Sequence, residues 1–548
     1  MPGDFENLSE RILKRHHYFQ PTEARYYIGL HEYDGVLPDY SKAGIETRTA
    51  NAREDLKELA QLDRNSLASQ QQFDLEVLRH ELEATIFNLS EKRDWEKSPM
   101  FYQSELDLLA YTTREYAPLA ERVAAINRQQ QQTPAFIEAA RANLKPPFGR
   151  PVMEMGLMLL EGSVRYRRND IAEMLKNPEL PADLRSEGEQ ANEAAINAIQ
   201  GLLDWLKSQE ANYTDNFALG RELYEKLLKY DELVDMPLED VLAAGETNLE
   251  QNYGQLLEVA HQIDPVISPY EVVERMAGAH PKAEELISYA QNMLERIRQY
   301  VIEKDLITIP TEVRPVVAPT PPPARFGFAS MAPAGAYEKS PENYYYMTLP
   351  EDDWSAERKE DWLRMFGYNK LEMTSIHEVY PGHFVHFMHI HNAPSKVSKH
   401  LLGSPVHFEG WAHYTEQMML EEGYGDATPE LKMAQLIAAL WRNCRYVASI
   451  KMHTQGMTVP EAIELFKKYV GMAEGPARAE VLRGAVQPGY FSYTMGKLMF
   501  LKLREDLKKR DGAQFDLKAF HDACVGHGAP PVPLLRRLLL GEESGTVL

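Results

Sequence analysis

The chain has 548 residues, enough for several domains or one large helical body, and its 44% apolar and 26% charged residues exclude wholesale disorder and collagen-like repeats. With 59 basic against 82 acidic side chains, a net charge of −23, it is too acidic for nucleic acid or an anionic membrane to be its main partner. No apolar run approaches the roughly 20 residues that span a bilayer, the N-terminal MPGDFENLSERILKRHHYFQ lacks the apolar stretch of a signal peptide, and Cys444 and Cys524 form neither a CxxC pair nor a disulfide framework; a soluble cytoplasmic protein is expected.

From residue 1 to 305 the apolar pattern is helical almost throughout, with no internal repeat. Leu59, Leu62, Leu67, Phe73, Leu75, Leu78 and Leu82 recur at spacings compatible with a helical face. Further helices are predicted over 116–145, 187–212, 214–229, 238–262 and 282–305, with acidic starts and basic ends that suit the helix dipole. Gln129 to Gln132 are read as a solvated face of the first of these.

Over 306–350 proline becomes too dense for helix, while Val, Tyr and Thr cluster in short runs. Two short strands are predicted, near 306–317 and 342–349, joined by an extended loop. Phe326, Phe328, Met331 and three successive tyrosines argue for a packed segment rather than a linker. A free edge on the 342–349 strand would accept an extended peptide by β-addition. Helices return over 355–366, 371–392, 405–422, 428–453, 459–469, 476–485, 489–510 and 515–526. The chain thus divides into a helical N-terminal half (1–305), a Pro/Tyr-rich extended segment (306–350) and a helical catalytic half (351–548), and the fold is predicted to be mainly α with a small β element.

The stretch TSIHEVYPGHFVHF carries the chemistry. A zinc-peptidase helix needs two imidazoles facing the metal and a carboxylate beside the first to activate water, which HExxH supplies because i and i+4 share a face. Here the fourth position is Pro381, and the second histidine, His383, stands six residues after His377, on another face of an ideal helix. Pro381 breaks the helical bonding and Gly382 permits unusual backbone angles, so a bulge there would return His383 to the metal side. In FEGWAHYTEQ, Glu409, Ala412, His413 and Glu416 form one stripe of a following helix, the usual source of a third, carboxylate ligand.

HEVYPGH and EGWAHYTE resemble the HExxPGH and EGWAxYxE signatures of a bacterial domain-of-unknown-function family. Its members are predicted gluzincin-like zinc metallopeptidases, distantly similar to the angiotensin-converting-enzyme, thimet-oligopeptidase and carboxypeptidase Taq groups. GLHEYDGVLPDYS (29–41), RNCRYVASIKMHTQGMTVPEAIELF (442–466) and QPGYFSYTMGKLMFLKLRED (487–506) resemble further family elements. The resemblance implies a large helical fold around a deep cleft, one zinc ion per chain held by His377, His383 and Glu409, and Glu378 as general base. The family commonly has Gln-Ala after the Pro-Gly of the last element; this chain reads Pro488-Gly489-Tyr490-Phe491 and is one residue shorter, so either Tyr490 or Tyr493 takes the place of the family tyrosine, Tyr493 fitting better.

The chemistry expected is zinc-assisted hydrolysis of amide bonds in short peptides, with a tyrosine hydroxyl, Tyr493 or Tyr490, donating to the oxyanion. Arg442, Arg445 and Arg483 are candidate anchors for a peptide carboxylate, and His453 a second donor. Glu416 is placed to orient a ligand histidine through its other ring nitrogen. His386, His389 and His391 are not counted as ligands. Alternatives are a metal-dependent amidohydrolase acting on a non-peptide amide and a helical binding protein with a relic motif, against which the intact Glu378 argues.

Overall fold

A computed structural model describes residues 2–322, 325, 327–541 and 545–548; Phe326, singled out above, lies outside them. The protein is 71% helix and 3% strand, far above the usual third of residues in helix, so the fold is mainly α. The chain forms two compact units. One comprises Met1–Leu219, Ala334–Pro341 and Ser395–Leu401; the other comprises Gly220–Pro333, Glu342–Pro394 and Leu402–Leu548.

In the first unit the long helices are α1 (Pro2–Phe19), α2 (Lys42–Leu59), α3 (Ser69–Phe87), α4 (Leu119–Asn143), α5 (Arg150–Tyr166) and α6 (Ala182–Ser208). The leucine run after residue 59 spans a break: Leu62 and Leu67 lie in the connection between α2 and α3. Phe136, Ile137 and Ala140 of α4, Met153, Leu160 and Val164 of α5, and Ile199, Leu202, Leu203 and Leu206 of α6 build one apolar core. Two-residue strands β1 (Phe148–Gly149) and β2 (Tyr213–Thr214) pair in parallel.

Half of the glutamine run departs from the solvated face predicted for it: Gln131 and Gln132 are exposed, and the other two are not. Gln129 and Gln130 are buried, and the Gln129 amide donates to the carbonyls of Glu105 and Asp107 while accepting from the Tyr111 hydroxyl. Amides serve here because the neighbouring backbone needs donors in the interior. The GLHEYDG motif is also structural. His31 lies between Asp34 (3.2 Å) and Glu338 (3.2 Å) and stacks on Tyr116 at 3.5 Å, which fixes the 334–341 segment on this unit. Burial opposes the charge of His31, but the two carboxylates carry its pKa up to about 9.

The second unit holds a three-stranded sheet of β3 (Val316–Pro319), β4 (Ala329–Ala332) and β5 (Tyr344–Met347) in the order β3-β5-β4. β5 is central, parallel to β3 and antiparallel to β4, with Met331 opposite Tyr345. This corrects the expected free edge at 342–349: both sides of β5 are paired, so no peptide can add there. The edges are β3 and β4, and β4 lacks β-branched residues and therefore reads as loop in the sequence.

The helices of this unit that matter here are α7 (Leu238–Ile263), α8 (Leu286–Glu303), α9 (Tyr368–Glu378), α10 (His383–His391), α11 (Pro405–Glu421), α12 (Pro429–Thr454), α13 (Glu474–Val486) and α14 (Ser492–Asp511). α11 and α14 cross backbone to backbone. A Cβ at Gly410 would stand 2.3 Å from Gly496 Cα, and one at Gly496 only 1.9 Å from the Val406 carbonyl oxygen, so both positions need glycine. The crossing sets Glu409 of α11 near Tyr493, three residues before Gly496. Among the described residues no helix is long and apolar enough to cross a membrane, and both cysteines are buried and free.

Candidate metal centre

The predicted 371–392 helix is two helices. α9 ends at Glu378, and α10 starts at His383 after a tight connection in which the Gly382 amide donates to the Ile376 carbonyl at 3.1 Å. Gly382 has φ −74° and ψ −131°, and a Cβ on it would lie 1.7 Å from the His377 carbonyl oxygen. The break is secured from α11, where the Trp411 indole donates to the Pro381 carbonyl at 3.1 Å. His383 thereby comes round to His377, their rings edge to face with centroids 4.8 Å apart.

Glu409 completes the cluster. Its Oε2 stands 3.5 Å from His377 Nε2 and 3.5 Å from His383 Nε2, and the three ligand atoms all lie within 4.8 Å of one another. Ligand atoms around a tetrahedral zinc at about 2.0–2.2 Å stand about 3.3–3.6 Å apart, and the two separations from Glu409 Oε2 fall in that range. Glu409 Oε2 is buried and makes no hydrogen bond, an orphaned acceptor of the kind a cation satisfies. Burial disfavours its charge, but the two imidazoles hold the carboxyl well below the usual range. His377 is the most withdrawn of the three, its side chain 5% exposed, against 15% for His383 and 28% for Glu409.

A second carboxylate holds His377 from behind. His377 Nδ1 donates to Glu416 Oε1 at 2.8 Å, which turns Nε2 toward Glu409. Arg442 approaches the same oxygen at 3.3 Å, and His413 Nδ1 lies 3.3 Å from Oε2. Burial, above all, pushes His413 down to about 3, so it is a neutral neighbour of Glu416. Burial likewise disfavours the charge of His377, but Glu409 and Glu416 carry its pKa up to about 9.

Glu378, beside His377 at the end of α9, accepts the Met331 amide of β4 at 3.0 Å. Tyr493, in the first turn of α14, stacks on the His377 ring at 6.3 Å and 22°. Burial and the Glu409 charge push its hydroxyl up to about 12, against the pull of Arg445, Arg483 and Arg442. Tyr490 precedes the helix and donates its hydroxyl to Glu480 at 2.8 Å. Arg445 is paired with Glu480 (2.8 and 3.2 Å), and the Arg483 Nε donates to Gln487 at 3.2 Å while its guanidinium covers the Tyr490 ring. His453 is buried, donates to the Gly484 carbonyl at 3.0 Å and stacks on Tyr224, contacts that tie α12 to α13 and leave its ring no part in the cluster. His386 and His389 donate to the Gly528 and Thr308 carbonyls.

Sequence reasoning passes over Lys370 and the Met331 amide. The signal for Lys370 is its place seven residues before His377, which on one helix is the same face two turns away. Met331 carries no such signal, because its contribution is backbone.

No curated protein matches the chain. Among solved structures, one described as "a putative lipoprotein of unknown function" from Shewanella oneidensis is 25% identical, with a TM-score of 0.83 over 98% of this chain and 99% of that one. A second, "the putative lipoprotein from Colwellia psychrerythraea", is 18% identical, with a TM-score of 0.77 over 97% and 98% of the two chains, and speaks for the fold. The family model for bacterial protein of unknown function (DUF885) matches residues 21–539, and the chain belongs to that family.

Proposed function

We propose that the protein is a zinc-dependent hydrolase of amide bonds in short peptides, of the gluzincin type that its HEVYPGH and EGWAHYTE motifs resemble. The observation that carries the reading is the orphaned Glu409 oxygen 3.5 Å from both imidazoles, backed by the Glu416 carboxylate behind His377. An ion bound there supplies Lewis-acid chemistry, polarising a carbonyl and acidifying water.

The chain's own groups do the rest. Glu378 takes the proton of the attacking water and returns it to the leaving amine. Its bond to the Met331 amide aims the carboxylate and sets it against β4. The Tyr493 hydroxyl donates to the oxyanion as it develops. Tyr490 is committed to Glu480 and serves to hold Arg445.

Tyr493→Phe should therefore lower kcat by about 10²- to 10³-fold, the usual loss for one oxyanion donor, with zinc content unchanged, whereas Tyr490→Phe should cost less than Tyr493→Phe. The reverse order of the two variants would reassign the donor. The reading as a whole is tested by following peptide-library cleavage by mass spectrometry before chelation, after it and after zinc is restored. Cleavage that follows the zinc supports it; none in the zinc-loaded protein contradicts it.

A further inference from the structure

The basic side chains around the metal centre are not equivalent. Arg442 is engaged by Glu416 and by the Ala438 carbonyl, and Arg445 by Glu480. Lys370 has no carboxylate partner among the described residues. Its one hydrogen bond goes to the Met365 sulfur at 3.6 Å, and its ammonium stands over the rings of Phe328 (4.9 Å) and Trp441 (5.9 Å). In a chain with 82 acidic and 59 basic side chains, an ammonium left without a counter-charge on the metal-bearing helix is anomalous. Burial, helped by the Arg442 charge, pushes it down to about 8, so an anion beside it is favoured.

Its position is defined by the helix. Lys370 and His377 are seven residues apart on α9, on one face and about 10 Å apart along the axis. An extended peptide covers that distance in about three residues. The faces of Phe328 and Trp441 attract the ammonium through their ring quadrupoles but supply no counter-charge, so the place of an anion beside it is left to a ligand.

We infer that Lys370, with Phe328 and Trp441, forms a subsite for a substrate carboxylate two to three residues from the bond held at His377, His383 and Glu409. The inference rests on the hydrolase reading and narrows its substrate class to short peptides carrying an anion at that remove. The carboxylate comes either from the peptide's C-terminus, in which case the protein releases di- or tripeptides, or from an acidic side chain. Lys370 is a specificity residue here: it binds the anion and takes no part in bond cleavage.

The test uses the full chain as the zinc-loaded Glu378→Gln variant, in which turnover is slowed, and three probes: N-acetyl-penta-alanine, its C-terminal amide, and the same amide ending in glutamate. Binding is read by calorimetry. The acid should bind about 10- to 100-fold more tightly than the amide, as expected for a charged hydrogen bond. Adding Lys370→Met should reduce that ratio to about one, and Lys370→Arg should retain most of it. Restored tight binding by the glutamate-ended amide would support the subsite and assign its occupant to a side chain. Equal binding of all three probes, no binding of any probe, or a preference for an anionic probe that survives Lys370→Met would overturn the inference. Lys370→Met should also fold at least as stably as its parent, since it removes an unpaired, partly buried charge, so a collapse of the ratio is not confused with unfolding. Metal content and repeat titrations on zinc-stripped protein separate the two claims. Acid preference in a protein that takes up no zinc leaves the subsite standing and removes the hydrolase reading; zinc-dependent cleavage indifferent to the terminal carboxylate does the opposite.

Discussion

Replacing Glu378 with glutamine should lower kcat by about 10²- to 10⁴-fold, the range for loss of a positioned general base, and leave zinc content unchanged. The separation follows from the geometry. Glu378 is outside the His377–His383–Glu409 cluster, and its contact is the Met331 amide at 3.0 Å, which a glutamine carbonyl can also accept. Metal analysis and steady-state kinetics on one preparation check both halves. Loss of zinc in the variant would make Glu378 a ligand, and full activity would remove it from the reaction.

The largest effect on stability is expected at Gly382. A Cβ there meets the His377 carbonyl oxygen at 1.7 Å and the Ile376 carbonyl oxygen at 2.6 Å, both backbone atoms that cannot swing aside. Gly382→Ala must open the connection between α9 and α10. It should cost at least about 3 kcal/mol, at the upper end for overpacking. The same opening turns His383 away from His377, so the variant should bind zinc poorly even where it remains folded. Chemical denaturation and metal content read the two consequences. A Gly382→Ala protein as stable as its parent and fully loaded with zinc would contradict this account of the break.

The metal motif is legible in the sequence because it is local. Two histidines, a proline and a glycine within seven residues specify both the helix break and what it brings together, and Glu409 and Glu416 declare themselves by sharing a helix face. The helices are legible for a similar reason: the 238–262, 405–422, 428–453 and 459–469 patterns agree closely with Leu238–Ile263, Pro405–Glu421, Pro429–Thr454 and Val459–Val470.

What escapes the sequence depends on distant partners. β4 is four small residues, Ala-Ser-Met-Ala, that become a strand only by pairing with β5. Its one chemical contribution, the Met331 amide, has no side-chain signature. The arginines read alike in sequence, and only their partners distinguish them: Glu416 for Arg442, Glu480 for Arg445, the Tyr490 ring and Gln487 for Arg483. Gln129 looks solvated because the carbonyls and hydroxyl that make an interior glutamine useful lie elsewhere in the chain.

The claim on which the rest depends is that His377, His383 and Glu409 hold a metal. Elemental analysis of protein purified without chelator or histidine tag tests it directly. About one zinc per chain is predicted, as for a single His₂Glu site. A protein that retains none, even after zinc is added and the excess removed, would contradict it.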